Sequence, residues 1–300
     1  MPLRTIDIDT RNGRMRVADT GGTGVPIVLL HGSGASRNVF DKQFSSPLLS
    51  RFRLIAPDLP GHGESDDAAD AERYSLPGFA DAVEEMLVSL EVERAVLFGW
   101  SLGGHIAIEM AERGLNDYLG LMVSGAPPAA AGSIGILRAF RTNLDLLLAT
   151  RAQFSSADVQ RFYDICYGAA GEPEFLDSIR RCDPRVRPAV AASLRRGTGH
   201  DQRRVVESTD LPIAMVNGID EPFARLSYVA GLRYRNLWGD VCHIVPDAGH
   251  AAFRDQPEVF NDLLARFATD VVAQSADLGS ATPPAARATS RTAMPMLRSA

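Results

Sequence analysis

The run Arg94-Ala95-Val96-Leu97-Phe98 leads into Gly99-Trp100-Ser101-Leu102-Gly103, and a second apolar stretch follows at once. One serine therefore sits where a buried strand turns sharply into a helix, the nucleophile-elbow pattern G-x-S-x-G. A serine hydroxyl is a weak nucleophile until the backbone pushes its oxygen clear of the sheet, toward a base and toward N–H donors. Glycines on both sides of Ser101 let neighbouring chain pass close to such a turn. Taken alone, the pattern is also what a plain strand-to-helix turn with a satisfied hydroxyl looks like, so the surrounding segments decide its meaning.

Upstream, Val25-Pro26-Ile27-Val28-Leu29-Leu30 reads as a continuously apolar strand that runs into His31-Gly32-Ser33-Gly34. A histidine-glycine loop in this place supplies oxyanion donors, here the backbone N–H groups of Ser33 and of Leu102, the residue after the nucleophile. His31 itself reads as structural. The segment Arg53 to Ser65, ending in Pro60-Gly61-His62-Gly63-Glu64-Ser65, joins a further strand to a glycine-rich turn of an architectural kind.

With this elbow the chain order is serine, acid, histidine. Val241-Cys242-His243-Ile244-Val245 reads as a last strand, and the turn Pro246-Asp247-Ala248-Gly249 places His250 at its carboxyl end, where open sheets gather ligands. His250 is the expected base; His105, His200 and His243 do not follow a strand in this way. For the acid, the turn Asn217-Gly218-Ile219-Asp220-Glu221-Pro222 after the strand Pro212 to Val216 offers two adjacent carboxylates. The third position after the glycine selects Glu221, with Asp220 as the alternative acid. The strand Leu121 to Ala126 ends without a carboxylate, and Asp247 is too near His250 in sequence to reach its ring.

Composition removes several other classes of function. The net charge of −6 argues against a nucleic-acid surface, which needs clustered positive charge. Lys42 is the only lysine, which leaves no Schiff-base or P-loop lysine, and no G-x-G-x-x-G follows a strand. No metal-ligand spacing occurs either, so no cofactor and no metal are expected. Cys166, Cys182 and Cys242 are an odd number without C-x-x-C spacing and read as free thiols. No stretch approaches the ~20 apolar residues of a membrane helix, and Met1 to Asp7 lacks a signal peptide's apolar core, so the chain reads as cytoplasmic.

Strand and helix alternate along most of the 300 residues, which implies a mostly parallel sheet covered on both faces. Thr5–Ile8 and Met15–Ala18 predict an antiparallel hairpin at the sheet edge. Ser75 predicts a cap for a helix whose Phe79, Val83, Leu87 and Leu90 share one face. Between residues 127 and 210 the alternation stops and helical patterns follow one another, predicting a cap inserted into a core made of residues 1–126 and 211–274. Phe140, Leu144, Leu147, Leu148, Phe154 and Ile165 belong to its apolar residues, some of which line a pocket. A helix is predicted over Pro257–Ala268, and residues 275–300, rich in Ala, Ser, Thr and Pro, read as a disordered tail.

The elbow, the histidine-glycine loop, the PGHGES turn, the late acid and the late histidine in this order resemble the α/β-hydrolase superfamily from about residue 5 to residue 270. More narrowly, Phe98 to His105, Asn217 to Phe223, Asn236-Leu237-Trp238 and Ala248 to Ala251 resemble the AidH-type N-acyl-homoserine lactone lactonases. The resemblance implies an α/β-hydrolase fold with a mostly parallel eight-stranded sheet, helices on both faces and a helical cap. It implies a serine hydrolase that opens acyl-homoserine lactones, with a small-molecule substrate; no nucleic acid and no membrane insertion are expected. It also supports Glu221 as the acid, and it implies substrate contacts at Gly32, Trp100 and a cap tyrosine, for which Tyr163 beside Phe162 is the match. The family's loop carries a polar residue after the glycine, often asparagine, where Ser33 stands here. Carboxylesterases and carbon–carbon bond hydrolases use the same three residues, and a ligand-sensing receptor could keep the same pocket.

Overall fold

The computed structural model describes residues 3–280, with side chains through residue 277. Eight strands form one sheet: β1 (Arg4–Thr10), β2 (Gly13–Asp19), β3 (Pro26–Leu30), β4 (Arg53–Pro57), β5 (Arg94–Trp100), β6 (Asp117–Ser124), β7 (Ile213–Gly218) and β8 (His243–Val245). Their order is β1-β2-β4-β3-β5-β6-β7-β8, and β2 alone runs against its neighbours. The edge hairpin pairs Thr5 with Ala18 and Ile8 with Met15. Inner strands are apolar on both faces because both are covered. In β5, Val96, Phe98 and Trp100 pack with Phe253, Phe260 and Phe267 on one face, while Ala95 and Leu97 pack with Phe79, Val83 and Leu87 on the other.

Before the elbow come the short helix α1 (Asp41–Phe44) and α2 (Leu76–Ser89). The Ser75 hydroxyl accepts from the Gly78 N–H at 3.3 Å, satisfying one of the donors that a helix start leaves free. Helix α3 (Leu102–Arg113) follows the elbow and is buried for most of its length. Between β6 and β7 lie α4 (Ser133–Ala139), α5 (Asp145–Leu148), α6 (Ser156–Tyr167), α7 (Glu174–Arg181), α8 (Val186–Arg196) and α9 (Gln202–Ser208), with no labelled strand among them. In this segment Phe140, Leu148 and Phe162 are buried, whereas Leu144 and Leu147 are exposed. Helices α10 (Leu226–Ala230), α11 (Ala252–Asp255) and α12 (Pro257–Ser280) complete the described chain.

Two expectations need correction. The last strand begins at His243 rather than Val241, because Gly239 and Asp240 both take positive φ and turn the chain immediately upstream. The last helix runs to Ser280 instead of Ala268, so residues 275–280 are helical. Its buried stripe of Phe260, Leu264 and Phe267 continues to Val271, and Arg94 hydrogen-bonds Ser275. The rest of the anticipated tail, residues 281–300, lies outside the described residues.

Candidate active site

Ser101 occupies φ +54 and ψ −118, a conformation that a residue with a Cβ adopts only when its surroundings enforce it. The enforcement is local. Its N–H donates to the Ser124 carbonyl at 2.8 Å, and its own carbonyl accepts from Gly104 and His105 at 2.9 and 3.2 Å. A Cβ on Gly99 would lie 2.3 Å from the Gly103 oxygen, and one on Gly103 would lie 2.1 Å from the Leu30 oxygen. Glycine is therefore required on both flanks for β5 to turn into α3 against β3.

The turn after β7 and the turn after β8 meet at the same edge of the sheet. His250 Nδ1 lies 2.8 Å from Glu221 Oε2, and the two side chains are 2% and 0% exposed. Glu221 Oε1 accepts from the N–H groups of Phe223 and Ala224 at 2.7 and 3.0 Å. Burial opposes ionisation of this carboxyl, but the His250 ring and those two N–H groups outweigh it and hold Glu221 below its ordinary 4.5. An ionised carboxylate can only accept, so Nδ1–H donates to it and Nε2 is left with a lone pair, as a base requires. Asp220, one residue earlier, is exposed and points no group at the imidazole.

Trp100 ties the histidine to the elbow. Its indole Nε1 donates to the His250 carbonyl at 2.8 Å, and the two rings lie 5.3 Å apart. The imidazole has room only because residue 125 is glycine: a Cβ there, at φ +65, would sit 2.7 Å from His250 Cε1. Asn217 Oδ1 accepts from the Gly125 N–H at 2.9 Å and fixes that passing loop. The Ser101 hydroxyl makes no hydrogen bond to the ring in this structure. Such contacts often tighten only around a bound substrate.

The histidine-glycine loop lies against the serine. A Cβ on Gly32 would fall 3.1 Å from Ser101 Cβ and 3.0 Å from the Trp100 ring. Among the described residues the backbone N–H groups of Ser33 and Leu102 donate to no protein acceptor. The Leu102 N–H is free because it opens α3, where the first turn has no partner within the helix.

On the side of the inserted helices, Tyr167 rather than Tyr163 or Phe162 meets the elbow. Its ring lies 5.7 Å from Trp100 and 4.8 Å from Phe175. Tyr163 stacks on Tyr167 at 5.7 Å with its hydroxyl toward Gly171, and Phe162 packs on Phe154 at 5.4 Å. Tyr163 and Tyr167 stand one turn apart on α6, so sequence spacing alone could have put Tyr167 forward beside Tyr163. A cleft of about 200 Å³ bordered by Cys166, Tyr167, Asp220, Asp247 and His250 opens at this point. A groove of about 790 Å³ lies elsewhere between Ser75 and α8 and holds none of these groups.

Three further histidines are buried and neutral. His31 Nε2 accepts from the Leu59 N–H at 3.0 Å, and His105 Nδ1 meets Gln202 Oε1 at 2.7 Å. Burial pushes His31 down to about 3 and His62 and His105 down to about 4, from an ordinary 6.5. His200 pairs with Glu109 at 3.1 Å, and the His243 ring packs on Trp238 at 4.8 Å. Each of them is occupied away from Ser101.

Comparison with known proteins identifies the family to which this fold belongs. Residues 27–263 match the model of the alpha/beta hydrolase family. The structure superposes on a solved variant of the N-acyl homoserine lactonase AidH, complexed with N-hexanoyl homoserine, with a TM-score of 0.87. The two share 40% identity over 90% of this chain and 98% of that one. A pimeloyl-[acyl-carrier protein] methyl ester esterase of Nitrosospira multiformis is 28% identical over 82% of this chain and 95% of its own length. A solved structure from Burkholderia cenocepacia, 22% identical with a TM-score of 0.73 and covering 90% of this chain and all of that one, shares the fold. The chain belongs to the alpha/beta hydrolase family.

Proposed function

We propose that the protein is a serine hydrolase that opens the lactone ring of N-acyl-homoserine lactones, with Ser101, His250 and Glu221 as its catalytic residues. The observation that carries the chemistry is the buried Glu221–His250 pair of 2.8 Å beside the elbow. The likeness to AidH at 40% identity supports the substrate.

In this reading His250 Nε2 takes the Ser101 proton as Oγ attacks the lactone carbonyl. The free N–H groups of Ser33 and Leu102 receive the developing oxyanion, and Glu221 stabilises the imidazolium. Collapse breaks the ring carbon–oxygen bond, and His250 returns its proton to the alcohol that leaves. That alcohol stays tethered to the acyl group and can attack again at high effective concentration until it swings aside. Water, deprotonated by His250, then attacks the ester carbonyl, and release of the acyl-homoserine carboxylate restores the Ser101 hydroxyl.

The test is incubation with hexanoyl-homoserine lactone, followed by mass spectrometry. The expected product is heavier by one water, and Ser101→Ala lowers its formation by roughly four to six powers of ten while the protein stays folded. A folded wild-type sample that leaves the lactone intact overturns the reading. The esterase relatives favour a second substrate class, simple carboxylic esters, which use the same residues. A lower kcat/KM on the lactone than on a short aryl ester would select it.

A further inference from the structure

Arg187, on α8, is 2% exposed and forms no ion pair with any described carboxylate, a costly state for a cation. Its guanidinium lies 4.0 Å from the Phe154 ring and 5.4 Å from the Phe162 ring. Among the described residues its one protein acceptor is the Ile179 carbonyl at 3.4 Å, and Nε is buried with no partner. The group faces the histidine-glycine loop: a Cβ on Gly34 would fall 2.8 Å from Arg187 Nη2 and 3.5 Å from Phe162. One residue back in that loop, the Ser33 hydroxyl is also buried and unpartnered. Two polar side chains with unused hydrogen-bonding capacity thus lie beside the loop that touches Ser101, with the Phe154 and Phe162 rings next to Arg187.

We propose that Arg187 is a specificity-determining residue that hydrogen-bonds an oxygen carried on the acyl chain of the substrate. The inference rests on the lactonase reading and names the kind of lactone taken: one with an oxo or hydroxy group near the amide. The two contact points lie close together on the loop. Gly32, against Ser101, and Gly34, against Arg187, are two residues apart and so at most ~7 Å between Cα atoms. In an extended acyl-homoserine lactone, five bonds, about 6 Å, separate the reacting carbonyl carbon from the third acyl carbon. The Phe154 and Phe162 faces already stabilise the charge, so a neutral carbonyl or hydroxyl oxygen completes the guanidinium's bonding without a second ion entering the apolar surroundings.

The experiment compares kcat and KM for octanoyl- and 3-oxo-octanoyl-homoserine lactone. A hydrogen bond to a charged group predicts a wild-type preference for the oxo lactone of roughly tenfold to a hundredfold. Arg187→Met should lower that ratio to near one, mainly by raising KM for the oxo lactone. Equal wild-type rates on the two lactones, or a Met variant that weakens both equally, would overturn the inference and leave the lactonase reading standing. Wild-type protein that opens neither lactone overturns both. If the Met variant melts before assay, Arg187→Lys decides: a selective rise in KM for the oxo lactone supports the role, and an equal loss on both rejects it.

Discussion

The edge of the sheet around Ser101 and the helices inserted between β6 and β7 are held by different forces. At the edge, hydrogen bonds that each involve a backbone group set the candidate catalytic residues: the Ser124 carbonyl accepts from the Ser101 N–H, the Phe223 and Ala224 N–H groups donate to Glu221, and the His250 carbonyl accepts from the Trp100 indole. In the inserted helices, ring contacts such as Tyr163 on Tyr167 meet ion pairs such as Arg161 with Asp145 near the surface. Exposed ion pairs contribute little to stability, and aromatic contacts tolerate small shifts of one ring over another. Under the proposed function, the chemistry is seated on parts that allow one geometry, and the choice of substrate is left to parts that can be repacked.

The largest effect that would break this contrast comes from the acid. Glu221→Gln keeps the shape but presents an amide to Nδ1, which no longer holds the tautomer with Nε2 free; kcat should fall by roughly three to four powers of ten with little change in KM. Asp220→Asn, one residue away and exposed, should keep activity within about a factor of two. Steady-state kinetics of both variants on the opened substrate check the pair. Equal losses would mean that the backbone of this turn does not select between its two carboxylates.

The next effect concerns stability in acid. His31, His62 and His105 are held neutral with values of about 3, 4 and 4, all below the ordinary 6.5. The unfolded chain therefore takes up their protons first as pH falls. Their contribution is complete above pH 6.5 and is lost as pH drops through that value toward the folded ones. Each contributes up to about 1.4 kcal/mol per pH unit in that window. Glu221, held below 4.5, adds a loss of the same sign only under more acid conditions. Urea midpoints from pH about 7.5 to about 5 should fall steeply, and His105→Gln should flatten the slope by about one proton. A midpoint that stays constant over this range would show that the sheet edge and floor do not depend on neutral imidazoles.

What could be seen in the sequence follows the same division. The elbow requires glycine at 99 and 103 because backbone oxygens lie within 2.3 and 2.1 Å of the missing Cβ atoms, so its geometry is written in residue type at fixed spacing. The continuous apolar runs of β3 and β5 gave away a sheet covered on both faces. The inserted helices carry no such requirement. Tyr163 and Tyr167 share a helical face, and only tertiary packing brings the second onto Trp100. Periodicity could not tell buried Leu148 from exposed Leu144 and Leu147, because the partner surface of a short helix is not encoded in its own pattern. The end of α12 was missed for a related reason: Val271 extends its stripe beyond the last strongly patterned turn.

The smallest expected effect tests the inserted side alone. Leu144 and Leu147 are 82% and 56% exposed, so replacing them with serine removes little buried surface. The double variant should unfold within about 0.5 kcal/mol of the wild type, the range of ordinary surface changes. Their place beside α6, which brings Tyr167 to Trp100, gives the measurement its use. If these leucines only cover the outside, KM for short-chain and long-chain lactones should be unchanged. A rise in KM confined to long acyl chains would show that the outer apolar surface guides the tail toward the cleft, extending the role of the inserted helices from shaping the bound substrate to capturing it.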